Sequence, residues 1–199
     1  MMKKSICLVV LTLCFYWSEG QLQIPNVDGN TLSIDGQFEE SLWDGCHSIL
    51  MNEGAEVLLG QDEAFVYVGI RREIYVARYV DLYIQTPGTL LNLHASMQLG
   101  ERHLTGQWDD STPRWSWGNN SNWEANPVEI INDDDDLPFL ETVAPYEGYE
   151  FRVSKSKLSA GSLRLRIELR DFMGKSEDRV YPISSTRYDV DSWLVINLD

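Results

Sequence analysis

Apolar and polar residues alternate along several segments of the chain. Positions 91–99 and 163–170 place an apolar residue at every second position, and positions 79–85 do the same with Val, Leu and Ile. This period of two is typical of strands that bury one face. The Thr-Pro-Gly-Thr turn at 86–89 predicts a hairpin, and the segment 38–43 predicts no more than a short helical turn. The pattern therefore predicts an all-β fold: a single-domain antiparallel β-sandwich, jelly-roll or immunoglobulin-like, with at most short helical turns.

The first twenty residues have the pattern of a signal peptide. Lys3 and Lys4 precede an apolar stretch at 6–17, and small residues follow at Ser18 and Gly20. The apolar stretch is too short to span a bilayer. We therefore expect residues 1–20 to be a signal peptide, residues 21–199 to form one domain without a membrane span, and the protein to be secreted or periplasmic.

Charge and cysteine content narrow the possible functions. The formal net charge is −15 at pH 7, which disfavours binding to nucleic acid or to anionic lipid because like charges repel. Only Cys46 would remain after signal-peptide cleavage, so no intramolecular disulfide is expected.

The segment 104–128 is unusually rich in tryptophan. It contains Trp108, Trp115, Trp117 and Trp123 among Gly, Asn, Ser and Asp, which favour turns and loops. An indole on a loop can stack on a ligand and still donate a hydrogen bond. The segment therefore predicts a binding loop; the alternative is that the rings fold back and cover the core.

The amino-terminal part of the domain carries a resemblance. The residues are Ile-Asp-Gly at 34–36, Glu-Glu at 39–40, Trp43, and the strand-like segment 64–70. Together they resemble the opening of family 9 carbohydrate-binding modules, which are similar in fold to DOMON domains; Glu39 stands where an Asp is frequent. The resemblance implies a β-sandwich that holds a sugar between tryptophan rings, with hydrogen bonds from amide, acidic and basic side chains.

Polar side chains on the predicted hairpin supply candidates for those hydrogen bonds. His94, Asn92 and Gln98 alternate with the apolar residues of one strand, and Asp81 and Gln85 do so on its partner. We predict His94, Asn92 and Gln98 as ligand-binding residues together with the four tryptophans of segment 104–128. The expected partner is an oligo- or polysaccharide.

An acidic run follows the tryptophan-rich segment. Asp133, Asp134, Asp135 and Asp136 come directly after Asn132, and calcium prefers six to eight oxygen ligands. The spacing does not fit an EF-hand, and a solvated acidic loop is the alternative. Because the resemblance implies that calcium sites are common in such modules, we keep these four residues as candidate calcium ligands.

The sequence offers little support for haem or for catalysis. DOMON domains can hold haem between Met and His, but His94 and Met97 differ by three positions and would point to opposite faces of one strand. No haem is therefore expected. No nucleophile elbow, metal-binding His pair or phosphate loop is found, so no catalytic residue is assigned.

These observations favour an exported, non-catalytic carbohydrate-binding domain. Two alternatives remain open: a polysaccharide-active glycosidase or lyase that uses acidic residues of the tryptophan-rich segment, and a structural or interaction module of a cell-surface complex. We expect Trp43 and Trp193 to belong to the core.

Overall fold

The computed structural model describes residues 21–51, 54–72, 79–104, 114–118, 120–127, 130–131, 142–143, 147–158, 161–170 and 179–198. Within these ranges the helices are α1 (Ser41–Asp44), α2 (Lys155–Leu158) and a 3-10 turn at Val190–Ser192. The strands are β1 (Leu22–Gln23), β2 (His47–Leu50), β3 (Ala55–Gln61), β4 (Phe65–Arg72), β5 (Tyr79–Thr86), β6 (Thr89–Ala95), β7 (Leu99–Leu104), β8 (Ser116–Trp117), β9 (Trp123–Ala125), β10 (Ile130–Ile131), β11 (Thr142–Val143), β12 (Gly148–Ser154), β13 (Ser162–Arg170), β14 (Arg179–Tyr181) and β15 (Leu194–Asn197).

Two sheets form the sandwich. The large sheet has eight strands in the order β1-β15-β13-β5-β6-β7-β8, with β14 also paired to β13. The small sheet has five strands in the order β2-β3-β4-β12-β9, and β10 and β11 form a separate two-stranded pair. Between these strands β1 and β15 pair in parallel, and the other pairings are antiparallel. The predicted all-β sandwich with short helical turns is confirmed.

The core lies between the two sheets and is built from the alternating apolar residues. From the large sheet it contains Val80, Leu82, Ile84, Leu91, Leu93, Ala95, Leu163, Leu165, Ile167 and Leu169. From the small sheet it contains Val57, Leu59, Val66, Val68, Ile70, Phe151 and Val153. Because side chains alternate across a strand, the remaining residues of β5, β6 and β13 point to the outer face of the large sheet.

One predicted strand is shorter than its hydrophobic pattern. Strand β6 ends at Ala95, residues 96–98 form a turn, and β7 begins at Leu99. The Ser96 hydroxyl contacts the backbone of Gln98, which stabilises the turn locally. Met97 is therefore 63% exposed in the turn and does not continue the buried face.

Trp43 and Trp193 are buried, as expected, at 3% and 2% exposure. Each lies in a small cluster on the outer side of a sheet. Trp43 packs with Phe38 against Tyr67 of the small sheet, and Trp193 packs on Tyr83 of the large sheet.

The segment that carries the Ile-Asp-Gly motif is held against the small sheet by Glu150 of β12. One carboxylate oxygen of Glu150 accepts hydrogen bonds from the backbone N–H groups of Asp35, at 2.9 Å, and Gly36, at 2.7 Å. The other oxygen accepts a 2.8 Å bond from the Trp43 indole N–H. This single buried side chain therefore connects the two conspicuous parts of the motif to the sheet.

Candidate functional site

The outer face of the large sheet carries polar and aromatic side chains in two rows that cross the strands. Strand register places the first row in this order: Trp117, Gly100, His94, Asp81 and Glu168. The second row contains Arg102, Asn92, Tyr83 and Arg166. Five strands, β8, β7, β6, β5 and β13, thus bring residues from distant parts of the chain onto one surface.

Trp115 and Trp117 lie at the β8 edge of this surface. Their ring centroids are 5.3 Å apart, and the planes are inclined by 32°. Trp117 is 49% exposed, whereas Trp115 is more buried. The pair thus presents one open indole, which is supported on its other side by the sheet.

Gly100 allows the two indoles to lie close to the sheet. A Cβ at this position would stand 2.7 Å from Cε3 of Trp117 and 3.3 Å from Cε3 of Trp115. The first distance is shorter than any ordinary carbon–carbon contact. A side chain at position 100 would therefore displace at least the Trp117 ring.

His94 packs against both indoles. Its ring centroid is 5.1 Å from that of Trp115 and 5.5 Å from that of Trp117. Its Nδ1 lies 2.8 Å from Oδ1 of Asp81 on the neighbouring strand. Because a carboxylate accepts, Asp81 favours the imidazole tautomer that donates through Nδ1 and leaves Nε2 as an acceptor.

Arg102 covers part of the Trp115 indole. Its guanidinium carbon lies 3.9 Å from the centroid of Trp115, and Nε and Nη2 donate to Oδ1 of Asn92 at 3.2 and 2.5 Å. Asn92 is fully buried and donates in turn to the carbonyl of Leu82. Asn92 therefore positions Arg102 from below.

Two other residues that the sequence predicts to bind the ligand, Gln98 and Trp123, do not belong to the two rows. Gln98 is exposed in the turn between β6 and β7. Trp123, in contrast, is 2% exposed, stacks on Phe151 in the core and donates its indole N–H to Glu101. The prediction of Trp123 as a surface platform does not agree with this placement, because neither face of the ring is accessible.

Two further predictions fall on residues outside those that the structure describes. These are the platform role of Trp108 and the calcium site at Asp133, Asp134, Asp135 and Asp136. Among the described residues, no group of three or more His, Cys, Asp or Glu side chains is arranged to hold a metal ion. No helix in the described ranges is long and apolar enough to cross a membrane.

The spacing of Trp115 and Trp117 decides how this pair could bind a sugar. A sugar held between two rings needs about 7–8 Å between them, since each carbon contact takes about 3.5–4.0 Å. The observed 5.3 Å is too short. These two rings therefore offer a platform with one open face, and they cannot hold a sugar between them.

Farther along the same face, three arginines surround Glu168. Nη1 of Arg166 lies 2.6 Å from Oε2 of Glu168, Nη2 of Arg187 lies 3.1 Å from Oε1, and Nε of Arg170 donates to Oε1 at 2.5 Å. Burial raises the pKa of Glu168, but the hydrogen bond from Arg166 and the three positive charges outweigh burial and hold it below the ordinary value. This cluster is not apparent from the sequence, although the alternation at 163–170 places Arg166 and Arg170 on the outer face.

A separate groove of about 670 Å³ lies on the outer side of the small sheet, between residues 26–30 and the β3–β4 turn. Its Asp62 accepts hydrogen bonds from the backbone N–H groups of Ala64 and Phe65 and from the Tyr67 hydroxyl. These bonds within the protein already satisfy the carboxylate. We place the candidate site on the large sheet, where an indole with an open face is present.

Comparison with known proteins supports the fold. The sequence matches no protein-family model and no curated protein sequence. The structure is similar to that of a candidate carbohydrate-binding protein from Bacteroides uniformis, with a TM-score of 0.56 and 9% identity over 89% of this chain and 98% of that chain. It is also similar to a family 9 carbohydrate-binding module from Caldicellulosiruptor kristjanssonii in complex with cellotriose, with a TM-score of 0.53 and 11% identity over 89% and 94% of the two chains. At these identities the likeness shows the fold, which is that of a family 9 carbohydrate-binding module, as the amino-terminal resemblance predicted.

Proposed function

We propose that this protein is an exported, non-catalytic carbohydrate-binding domain. Its sugar stacks on Trp117, beside Trp115, on the outer face of the large sheet. The observation that carries the proposal is the half-exposed indole of Trp117, held by a strand over Gly100. The two similar structures, a candidate carbohydrate-binding protein and a module bound to cellotriose, support the same ligand class.

The geometry of one open ring determines the expected affinity. Stacking one pyranose face on one indole buries on the order of 60–80 Å² of apolar area, worth roughly 1.5–2 kcal/mol at about 25 cal/mol per Å². Two or three hydrogen bonds add about 1 kcal/mol each. These contributions sum to about 3.5–5 kcal/mol before the entropy lost on association is subtracted, so dissociation constants in the range of about 1 mM or weaker are expected.

The neighbours of Trp117 supply hydrogen-bonding groups for the rim of the sugar. His94 touches both indoles and contacts Asp81 through Nδ1, which leaves Nε2 as its second polar atom. Arg102 lies over Trp115 and carries several donors. Stacking accepts many sugars, so selectivity comes from side chains such as these two.

The two acidic residues that the structure describes in the first row support a non-catalytic role. A glycosidase needs two carboxyl groups that face the glycosidic bond about 5–9.5 Å apart. On the outer face of the large sheet, Asp81 is bound to His94 and Glu168 is enclosed by three arginines. Both carboxylates are buried, at 6% and 2% exposure, and already have partners within the protein.

Export is the part of the proposal that rests on residues 1–20. Basic residues, a short apolar stretch and the small residues Ser18 and Gly20 support cleavage before Gln21. Mass spectrometry of the amino terminus in the native host tests this step. Detection of an intact Met1 would contradict it.

Sugar binding can be tested by affinity electrophoresis in gels that contain a panel of soluble polysaccharides, followed by an assay of reducing-sugar release. The Trp117→Ala variant should lose retardation while its melting temperature stays close to that of the parent. Leu50→Ala is the matched control, since Leu50 is 77% exposed on β2 of the small sheet. Retardation that survives Trp117→Ala would contradict the proposed site, and release of reducing sugar would favour the enzyme.

A further inference from the structure

The groove on the outer side of the small sheet continues into a second depression. The groove of about 670 Å³ and a depression of about 370 Å³ share two lining residues, Phe65 of β4 and Arg152 of β12. Volumes of this size are within the range of about 300–1,000 Å³ that is usual for small-ligand sites. Together the two form the small-sheet groove, which has Phe65 and Arg152 at its middle and lies on the opposite side of the sandwich from Trp117.

The register of the small sheet determines the floor of the groove. Phe65 lies opposite Ser154, and Arg152 lies opposite Glu124. Because Val153, between Arg152 and Ser154, faces the core, these neighbours point to the outer side of the sheet. The guanidinium carbon of Arg152 lies 5.2 Å from the centroid of Phe65, and its Nη2 donates to Oε2 of Glu124 at 2.5 Å. The floor therefore combines an aromatic ring with a guanidinium group and a carboxylate.

The turn before β4 fixes the position of Phe65. Oδ1 of Asp62 accepts hydrogen bonds from the backbone N–H groups of Ala64 and Phe65, both at 2.7 Å. The backbone N–H of Asp62 donates to the carbonyl of Phe65 at 3.0 Å, and Oδ2 accepts a 2.5 Å bond from the Tyr67 hydroxyl. Asp62 is therefore a positioning residue, and a ring held in this way limits the entropy lost when a ligand binds.

Segment 26–30 forms one wall of the groove and lies directly on the sheet. The backbone N–H of Val27 donates to the carbonyl of Gln61 at 2.8 Å. Gly29 is so close to Tyr67 that a Cβ would stand 1.8 Å from the Tyr67 hydroxyl oxygen. Since no space remains between this segment and the sheet at Tyr67, the wall closes the groove on the side of β3.

Residues 120–124 form the opposite wall, and they are also fixed to the rest of the domain. The backbone N–H of Ser154 donates to the carbonyl of Asn122 at 2.9 Å. Nζ of Lys157 donates to the carbonyl of Ser121 at 3.0 Å. Both walls are therefore held by hydrogen bonds, so the shape of the groove does not depend on a ligand.

The lining side chains offer both hydrogen-bond acceptors and a donor. Asp28 and Glu63 are exposed and Glu124 is 54% exposed in its side chain, and ionised carboxylates only accept. Arg152, whose side chain is 25% exposed, only donates. A sugar hydroxyl both donates and accepts, so it can bond to either kind of group beside the apolar ring of Phe65. A charged ligand of either sign would instead meet a like charge at one of these side chains.

From these contacts we propose that the small-sheet groove is a second binding site, for a short neutral oligosaccharide. One sugar ring lies against Phe65, and its hydroxyl groups hydrogen-bond to Arg152 and Glu124. Because segment 26–30 closes one end, the interior of a long chain does not fit, so retardation in a polysaccharide gel reports on Trp117 alone. The inference goes beyond the proposed function, since it assigns a separate site on the other sheet.

Titrations followed by amide NMR spectra locate binding directly on the unaltered protein. The probes are cellotriose, xylotriose and mannotriose, with tri-lysine as a peptide probe. We expect at least one trisaccharide to shift the backbone amide signals of Ala64 and Asn122 in a saturable manner, with a dissociation constant of about 1 mM or weaker. These shifts should persist in Trp117→Ala. The indole N–H signal of Trp117 in the unaltered protein reports separately on the platform.

Two substitutions then test the assigned residues. Phe65→Ala removes the aromatic ring and should weaken binding in the groove about tenfold. Glu124→Ala removes an exposed hydrogen-bonding group, with less risk to folding, and should weaken it about fivefold. Leu50→Ala is the matched control, since Leu50 is 77% exposed on β2 of the same sheet and does not line the groove. Circular dichroism establishes that each variant is folded.

The outcomes separate this inference from the proposed function. Shifts confined to the Trp117 indole and its neighbours would overturn the second site and leave the platform in place. Shifts in the groove caused by tri-lysine and by no trisaccharide would overturn the saccharide class. Trisaccharide shifts in the groove that neither Phe65→Ala nor Glu124→Ala weakens would overturn the assigned residues. An absence of shifts at both places would overturn the second site, and the polysaccharide panel would then decide the proposed function by itself.

Discussion

Glu150 offers the sharpest test of the packing that holds the amino-terminal motif. Its carboxylate is fully buried and accepts hydrogen bonds from Asp35, Gly36 and Trp43. The substitution Glu150→Gln keeps the size of the side chain and removes its charge. The Gln amide has only one acceptor oxygen, so it can face either the two backbone N–H groups or the indole N–H, and the other side meets an NH2 group.

The magnitude follows from two opposing effects. A buried donor left without an acceptor costs about 1–3 kcal/mol, which lowers the free energy of unfolding of the variant at every pH. In the parent protein, burial raises the pKa of Glu150 from 4.5 to about 7; the nearby charges of Glu40 and Asp35 act in the same direction, whereas the backbone hydrogen bonds oppose it. Because the folded-state pKa is raised, the stability linked to protonation is fully present below pH 4.5 and is lost as the pH rises through 7.

Denaturant melts of both proteins at pH 5 and pH 8 measure these effects. The other titrating groups are common to both proteins, so they largely cancel in the difference between the two free energies of unfolding. We expect the parent to exceed the variant most at pH 5, and its advantage to shrink by about 2–3 kcal/mol at pH 8. An advantage that does not change with pH would show that Glu150 does not titrate in this range, and an unchanged stability at both values would refute the role of the three hydrogen bonds.

Three further predictions concern the core, the platform and the acidic run. Leu165→Ala should lower the free energy of unfolding by roughly 2–5 kcal/mol in urea melts, because Leu165 is 2% exposed between the sheets; a loss below about 1 kcal/mol would contradict the assigned face. Gly100→Ala should weaken sugar binding at least about tenfold in calorimetry while stability falls by about 1–3 kcal/mol, since the new Cβ displaces Trp117; unchanged affinity would contradict the platform. If residues 133–136 bind calcium, a hundredfold excess of the metal over its dissociation constant should stabilise the protein by about 2.7 kcal/mol, and chelation should reverse the rise in melting temperature; a melt insensitive to both would favour the solvated loop.

The fold could be predicted because strand patterning has a simple physical origin. The alternation at 163–170 is long and regular, and strand β13 buries its apolar residues in the core. The alternation at 91–99 does not correspond to one strand, because the chain turns at 96–98. That turn contains neither Gly nor Pro, and the Ser96 side chain stabilises it through contacts with the backbone of Gln98. Because Met97 is apolar, the alternating pattern continues through the turn and the end of the strand cannot be seen in the sequence.

In the tryptophan-rich segment, composition does not predict which indole is exposed and which is buried. Trp117 and Trp123 have similar polar neighbours, yet one is 49% exposed and the other 2%. Both rings lie on edge strands, β8 of the large sheet and β9 of the small sheet, but they occupy different faces. Trp117 pairs with Gly100 on the outer face, whereas Trp123 pairs with the core residue Val153 and stacks on Phe151. These pairings join segments that are distant in the chain, so local sequence could not distinguish the two rings.

The alternating pattern correctly predicts which residues lie on the outer face of the large sheet. It does not predict that some of these outer residues are buried. Arg166 and Asn92 lie on the outer face, as their positions imply, yet they are 4% and 0% exposed. The segment before β15 places Trp193 and Arg187 over this face and covers part of it. Substituting these outward residues is therefore expected to cost more than a change at an ordinary solvated position.

The burial of these polar groups bears on binding as well as on stability. Each hydrogen-bonding group near the indoles is fixed by a neighbour: Asn92 holds Arg102, and Asp81 orients His94. A sheet face of this kind has little side-chain freedom left to lose when a ligand binds, so weak stacking on Trp117 can still produce measurable affinity. If the proposed site binds a sugar, disturbing one of the buried supports should therefore weaken binding without removing any group that the proposal places in contact with the sugar. Asn92→Ala is the clearest case, since Asn92 is fully buried beneath Arg102 and lies below the surface that a ligand can reach.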